Sequence, residues 1–190
     1  MNYIMPDILK PELKIVFCGT AVGHKTALFR TYYAHPNNSF WKTLADVGLT
    51  PHEVAPKDFA SITQFGLGLT DLAKSAVGSD HEIHHDQYDI EGFREKILHF
   101  KPRTLAFNGK EAAKRYLGRR SVQYGMVDES IGQTLIFVLP STSAAARRWW
   151  NKLVWRELAH IGGYESSSIN TFSGAGARER KSKAIGEPDD

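Results

Sequence analysis

The chain has a single cysteine, Cys18, and that scarcity excludes a good deal. One thiol cannot close an internal disulfide, build a cysteine-rich zinc site or hold an iron–sulfur cluster. No apolar run approaches the roughly 20 residues of a membrane-spanning helix, so no membrane partner is expected. A basic-then-apolar leader is also missing; the first residues carry Pro6 and Asp7 instead. This points to a reducing cytoplasmic setting, at the nucleoid if the source is bacterial. Net charge is only +3 over 190 residues, so bulk charge does not argue for a polyanionic partner. Its distribution does. From Ser141 to Arg156 there is no Asp or Glu, while Arg147, Arg148, Lys152 and Arg156 fall there. Such a stretch is either a solvated helix face or a basic surface for phosphates.

What is present fits one soluble α/β domain. An apolar fraction of 42% is enough for a single core. The spacing predicts a buried strand over Leu13–Cys18 ending at Gly19, with Gly19-Thr20-Ala21-Val22-Gly23 as the loop after it. A helix is expected from Phe40 to Gly48 with Ser39 as its cap, and Phe65–Asp71 reads as a Gly-punctuated loop approaching the core. Ile90–Phe100 has helical spacing and is ended by Pro102. Arg103–Asn108 reads as a strand, Lys110–Leu117 as a helix, Thr134–Leu139 as a strand and Arg147–His160 as the last helix. Strands alternating with helices imply parallel βαβ units and a three-layer α/β/α domain around a mainly parallel sheet. That domain is expected to span residues 1–162, followed by a disordered tail over 163–190.

Several small constellations carry chemistry. The two glycines of Gly19–Gly23 let a backbone approach a ligand, although the spacing matches neither the dinucleotide fingerprint nor the phosphate loop. Asn108 ends a strand and offers both donor and acceptor, as reading a base edge requires; capping the next helix is its plainer role. Ser141, Thr142 and Ser143 place three hydroxyls before a helix, a setting for phosphate oxygens, or in Ser143 only a cap. Tyr32 and Tyr33 could stack on a base or simply pack in the core. His81, His84 and His85 lie among acids in a polar segment, which reads as an exposed loop rather than a metal site. No metal and no organic cofactor is implied.

Taken in order, these segments resemble the mismatch-specific uracil/thymine DNA glycosylases of the uracil-DNA glycosylase superfamily, from about Asp7 to about Leu158. Phe17-Cys18-Gly19 with Gly23 is similar to the family's first motif, Gly-Ile-Asn-Pro-Gly. Ala34-His35-Pro36-Asn37-Asn38-Ser39-Phe40-Trp41-Lys42, Gly68-Leu69-Thr70-Asp71 and Phe107-Asn108-Gly109-Lys110 resemble the stretches that follow it. Leu139-Pro140-Ser141-Thr142-Ser143-Ala144 resembles the second motif. The resemblance implies a glycosylase that flips uracil or a related damaged base out of double- or single-stranded DNA, hydrolyses its N-glycosidic bond and leaves an abasic site, acting as a monomer. It places Gly19, Thr20 and Ala21 against the base, Tyr33 as the stacking ring and Asn108 as the reader. Ser141, Thr142, Ser143 and Lys110 would hold DNA. Ala145, Ala146 and Arg147 would form the wedge, with its tip left open.

One position departs from the pattern: the family's water-activating Asn falls on Ala21, and a methyl cannot polarise water. Asp71 is the first substitute, unless it caps a helix over Leu72-Ala73-Lys74. His24 is the second, unless it only meets phosphate or solvent. The competing expectation is a lesion- or abasic-site-binding protein that no longer cuts. A nucleoside-processing enzyme is a third class, but it would not need the Arg147-Arg148-Trp149-Trp150 face.

Overall fold

The computed structural model describes residues 3–164. Five strands form one sheet in the order β2-β1-β3-β5-β4: β1 Ile15–Val22, β2 Leu67–Val77, β3 Thr104–Asn108, β4 Gly125–Ile131 and β5 Thr134–Leu139. The β2, β1, β3 and β5 pairings are parallel, and β4 runs antiparallel to β5 at the far edge. Alternation along the strands sorts their side chains to two faces. Ile15, Phe17, Ala106, Phe137 and Leu139 pack with Phe40, Leu44, Ile62, Trp155 and Leu158 on one side. Val16, Cys18, Leu105, Phe107, Ile136 and Val138 pack with Phe93, Ile97, Ala112 and Ala113 on the other. The first layer is made by α2 (Phe40–Asp46), the 3₁₀ segment Pro56–Phe65 and α5 (Lys152–Ile161); the second by α3 (Ile90–Phe100) and α4 (Lys110–Leu117). This is the expected three-layer α/β/α domain. Short α1 (His24–Phe29) follows β1 directly.

Four local expectations are corrected. First, β1 does not stop at Gly19: Gly19 pairs with Asp71 and Ala21 with Ala73, because β2 continues alongside. Gly19–Val22 is therefore strand, and only Gly23 turns the chain into α1. Second, Leu67–Asp71 is not loop but the start of β2, and Asp71 caps nothing, since Leu72-Ala73-Lys74 is extended. The glycines masked this strand. Gly68 is needed because a Cβ there would lie 2.6 Å from the Ile8 carbonyl oxygen, where an amino-terminal arm bridges antiparallel to Leu69.

Third, the last helix is broken. A 3₁₀ turn covers Ala144–Trp149, and Asn151 then caps α5 by accepting from the Leu153 amide at 3.0 Å. Fourth, α2 is not capped by the Ser39 side chain. Asn38 Oδ1 accepts from the Phe40 amide, while the Ser39 hydroxyl reaches the Thr142 carbonyl. Strand β4 was not foreseen at all; its side chains alternate between exposed and half-buried and carry polar residues. Of the tail expected from 163 on, Tyr164 is packed, its hydroxyl donating to the Phe65 carbonyl at 2.7 Å; residues 165–190 lie outside the described residues. Among the described residues no helix is long and apolar enough to cross a membrane.

Candidate active site

Strand order turns at β1: β2 lies on one side, and β3 with β5 on the other. In open α/β sheets the crevice at such a point, beyond the carboxyl ends of the strands, is where ligands bind. The register places the site row across it. Gly19 faces Asp71 on β2, Cys18 pairs with Phe107 on β3, and Asn108 pairs with Leu139 on β5. Asp71, Gly19, Asn108 and the start of the Pro140–Ser143 loop therefore stand at one level. Beyond Cys18, β1 has β2 beside it but no longer β3. One row of its backbone groups, around Thr20 and Ala21, opens toward the crevice.

Asp71 is 4% exposed. Its Oδ2 accepts from the Tyr32 hydroxyl at 3.0 Å and lies 3.5 Å from Lys74 Nζ. Oδ1 is the other oxygen, and it sits over Gly19: a Cβ there would fall 2.9 Å from it. Gly19 is thus glycine for a close approach, not for a turn. Burial pushes the Asp71 carboxyl above the ordinary range, opposed by Lys74 and by the Tyr32 hydrogen bond, with Asp7 pushing it further up. Burial also raises the Cys18 thiol, and Asp71 adds to that, so the cysteine stays an inert neutral core group.

The sequence-predicted residues divide clearly. Tyr33 has its ring stacked on Phe40 at 3.9 Å, sits at φ 53°, and turns its hydroxyl toward Asn108. Burial drives that hydroxyl far up, against the hydrogen bond from Asn108, so it stays neutral. Phe40 braces one face of a ring that is itself half-buried. Asn108 is not a helix cap. Its amide donates to Thr142 Oγ at 3.0 Å, and its carbonyl accepts from the Thr142 amide at 3.1 Å. A carboxamide has two donors and two acceptors; beyond this clamp one of each is left, and the Tyr33 hydroxyl stands beside them. Gly109 leads into α4 at φ 129°, with Ser141 Cβ 3.3 Å from where its own Cβ would stand. The Asn108-Gly109 and Ser141-Thr142 corners are therefore locked together.

Ser141 and Ser143 bond to each other, and Ser39 donates its amide to the Thr142 carbonyl at 3.1 Å. Beside them a groove of about 250 Å³ is lined by Ser39, Lys42, Asp46, Ser141, Ser143 and Arg147, with Lys42 paired to Asp46 at 2.8 Å. Ala145 and Arg147 are exposed and Ala146 half-buried on the 3₁₀ turn. Lys110 lies with Nζ 4.3 Å over the Tyr124 ring. His24 is on exposed α1, 3.4 Å from Glu82, and no hydrogen bond links it to Asp71 or Asn108. His81, His84 and His85 are exposed, and among the described residues no group of metal-binding side chains gathers. Of the three tryptophans near the carboxyl end, Trp155 is fully buried and stacks on Phe17, whereas Trp149 and Trp150 remain exposed.

Sequence reasoning gave Tyr32 only stacking or packing, not its bond to Asp71, and missed Lys74, Asp7 and Lys42. Tyr32 and Asp7 come to Asp71 from distant parts of the chain, and Lys74 from three residues further along β2. Lys42 lies on α2 and closes the Ala34–Lys42 stretch that resembled the family, where it was given no role.

Asp71, Gly19 and Asn108 form a small buried site whose one carboxylate can take a proton from water. The adjoining groove, lined by hydroxyls and by Arg147, suits phosphate oxygens. A solution NMR structure of a candidate uracil DNA glycosylase from Methanosarcina acetivorans matches with a TM-score of 0.56 and 22% sequence identity, over 85% of this chain and 97% of that one. At that identity the likeness is one of fold. The family model described as the uracil DNA glycosylase superfamily matches residues 6–159, nearly all of the described domain. The chain belongs to the uracil DNA glycosylase superfamily.

Proposed function

We propose that this protein is a monofunctional DNA glycosylase that hydrolyses the N-glycosidic bond of uracil and related damaged bases, leaving an abasic site. The observation that carries the reading is the buried Asp71 carboxylate over Gly19, level with Asn108 and the hydroxyl loop. Ser141, Ser143 and Arg147 grip the backbone, Thr142 being buried and holding Asn108 instead, while Ala145, Ala146 and Arg147 fill the gap left in the duplex. Extrusion costs a few kcal/mol, least for a mismatched or damaged base. The base stacks on Tyr33, braced by Phe40, and meets the remaining donor and acceptor of Asn108. Backbone N–H groups around Thr20 and Ala21 stabilise the departing anion.

Asp71 takes the water-activating role that the resemblance gives to the position of Ala21. It fits better than His24, which is exposed and turned to Glu82. A positioned base contributes typically 10²–10⁴-fold. Asp71→Asn is therefore expected to slow cleavage by about a hundredfold or more, with DNA affinity nearly unchanged. A nicking assay on a uracil-containing oligonucleotide, developed with alkali, reads this directly. Uracil and deaminated purines, which leave more easily, should be released faster than thymine. The second reading, a binding protein that shields lesions, is favoured by the methyl of Ala21. Tight binding to the same oligonucleotide without any nick would establish it and end the enzymatic reading.

A further inference from the structure

Around Asp71 lies a closed charge network that the reaction as proposed does not yet use. Lys74 Nζ donates to the Tyr32 hydroxyl at 3.1 Å and to Asp7 Oδ1 at 3.0 Å, and stands 3.5 Å from Asp71 Oδ2. Lys96 reaches the other Asp7 oxygen at 2.6 Å, and Thr70 donates to Asp7 Oδ1 at 2.7 Å. Two carboxylates and two ammonium groups balance, and Lys74 is 8% exposed. Such an arrangement is not what strand alternation provides. Residues 71 and 74 would point to opposite faces of a regular strand. The β1–β2 register slips between Ala21 and Val22, whose partners are Ala73 and Val77. Lys74 stays with Leu72, Phe93 and Lys96 on the α3 side, and because β2 is the edge strand its long side chain brings Nζ round the margin to Asp71 and Tyr32. The amino-terminal arm then closes over it, with the Ile4 amide on the Lys74 carbonyl at 3.0 Å.

The network engages one oxygen of Asp71 and leaves the other. We propose that Lys74 and Asp7 are positioning residues for the hydrolysis: they hold Asp71 Oδ2 and set the charge on the carboxylate, so that Oδ1, over Gly19, accepts the proton of the attacking water. This rests on the glycosylase reading above. In the step, the water oxygen bonds to the sugar carbon as the sugar–base bond breaks. The bonding pair leaves with the base, and the water proton passes to Oδ1. Tyr32 and Lys74 hold Oδ2 throughout.

The groups that face Asp71 are Lys74 on β2, Asp7 on the arm, Tyr32 and Tyr33 from the loop before α2, and Cys18 on β1, with Lys96 on α3 behind Asp7. Of these, Lys74 favours the charged carboxylate and Asp7 disfavours it. Asp71 works as a base only when ionised, so activity falls as pH drops through its titration. Removing the lysine and removing the aspartate must therefore move that acid limb in opposite directions.

The test is the single-turnover rate of the full chain on a uracil-containing duplex, measured against pH. Lys74→Met should move the acid limb up by about one unit or more. Asp7→Asn should move it down, and Lys74→Arg should leave it close to wild type. Carboxyl ¹³C NMR of Asp71 should shift in the same directions without substrate. If Lys74→Met fails to fold by circular dichroism, the Asp7→Asn/Lys74→Met double variant removes both charges together. It should return the limb toward wild type relative to Asp7→Asn. If Asp71→Asn abolishes cleavage while the limb and the NMR titration stay put in Lys74→Met and Asp7→Asn, the positioning role is overturned and the glycosylase reading stands. Full activity in Asp71→Asn overturns the assignment of the base itself.

Discussion

At the scale of the residue, the site depends on an atom that is missing. Gly19 has neither a turn to make nor a left-handed backbone to supply; its role is to leave room for Asp71 Oδ1. Gly19→Ala puts a methyl 2.9 Å from that oxygen, too close for the carboxylate to stay. The expected result is a loss of roughly a hundredfold in the cleavage rate, the scale of a displaced base. The thermal midpoint should change little, because the lower chain entropy of alanine offsets part of the strain. Cleavage kinetics alongside a thermal melt check both halves of this expectation. Asp71 and Asn108 were legible in the sequence because each ends a run or segment whose position suggested a cleft. Asp7, Tyr32 and Lys74 were not. Tyr32 and Asp7 reach Asp71 and Lys74 from far back in the chain, and a lysine in a strand reads as a solvated side chain until its partners are seen.

At the scale of the element, the strands read most easily where both faces are covered. Thr104–Asn108 and Thr134–Leu139 are nearly continuous buried runs, the pattern of a central parallel strand. Strand β2 hid behind Gly66 and Gly68, and β4 behind its polar alternation, since neither pattern separates an edge strand from a loop. The break after Trp149 was equally hard to see, because Ala144–Trp149 and Lys152–Ile161 share helical spacing across the gap. Asn151 makes the gap explicit by starting α5. That helix carries Trp155, whose indole donates to the Pro140 carbonyl at 3.0 Å, so α5 also buttresses the hydroxyl loop. Asn151→Ala should cost about 1 kcal/mol, lowering the melting midpoint by roughly 2–4 °C in a chain of this size. Differential scanning calorimetry would detect it.

At the scale of the whole molecule, charge is partitioned. Residues 13–45 and 130–156 contain no Asp or Glu, and between them carry Lys14, Lys25, Arg30, Lys42, Arg147, Arg148, Lys152 and Arg156. Both segments include the carboxyl end of a strand that forms the crevice, so a weakly basic protein concentrates its positive potential beside the site. Arg147→Ala should weaken binding of both uracil-containing and plain duplex. It should also make the dependence of log affinity on log salt shallower by about one. Fluorescence anisotropy across a salt series measures that slope; an unchanged slope would remove Arg147 from the phosphate contacts.

The antiparallel bridge from Ile8 to Leu69 bears on more than the charges it helps to enclose. β2 is one margin of the sheet, and a bare margin invites a neighbouring molecule to add its own strand. The arm occupies part of that template, while on the opposite margin β4 carries Asp128 and Glu129. With one border tenanted from within and the other bearing an exposed Asp128 and the Glu129–Arg119 pair, stacking of copies through their backbones is discouraged at both ends, and the broad surface around the cleft stays open.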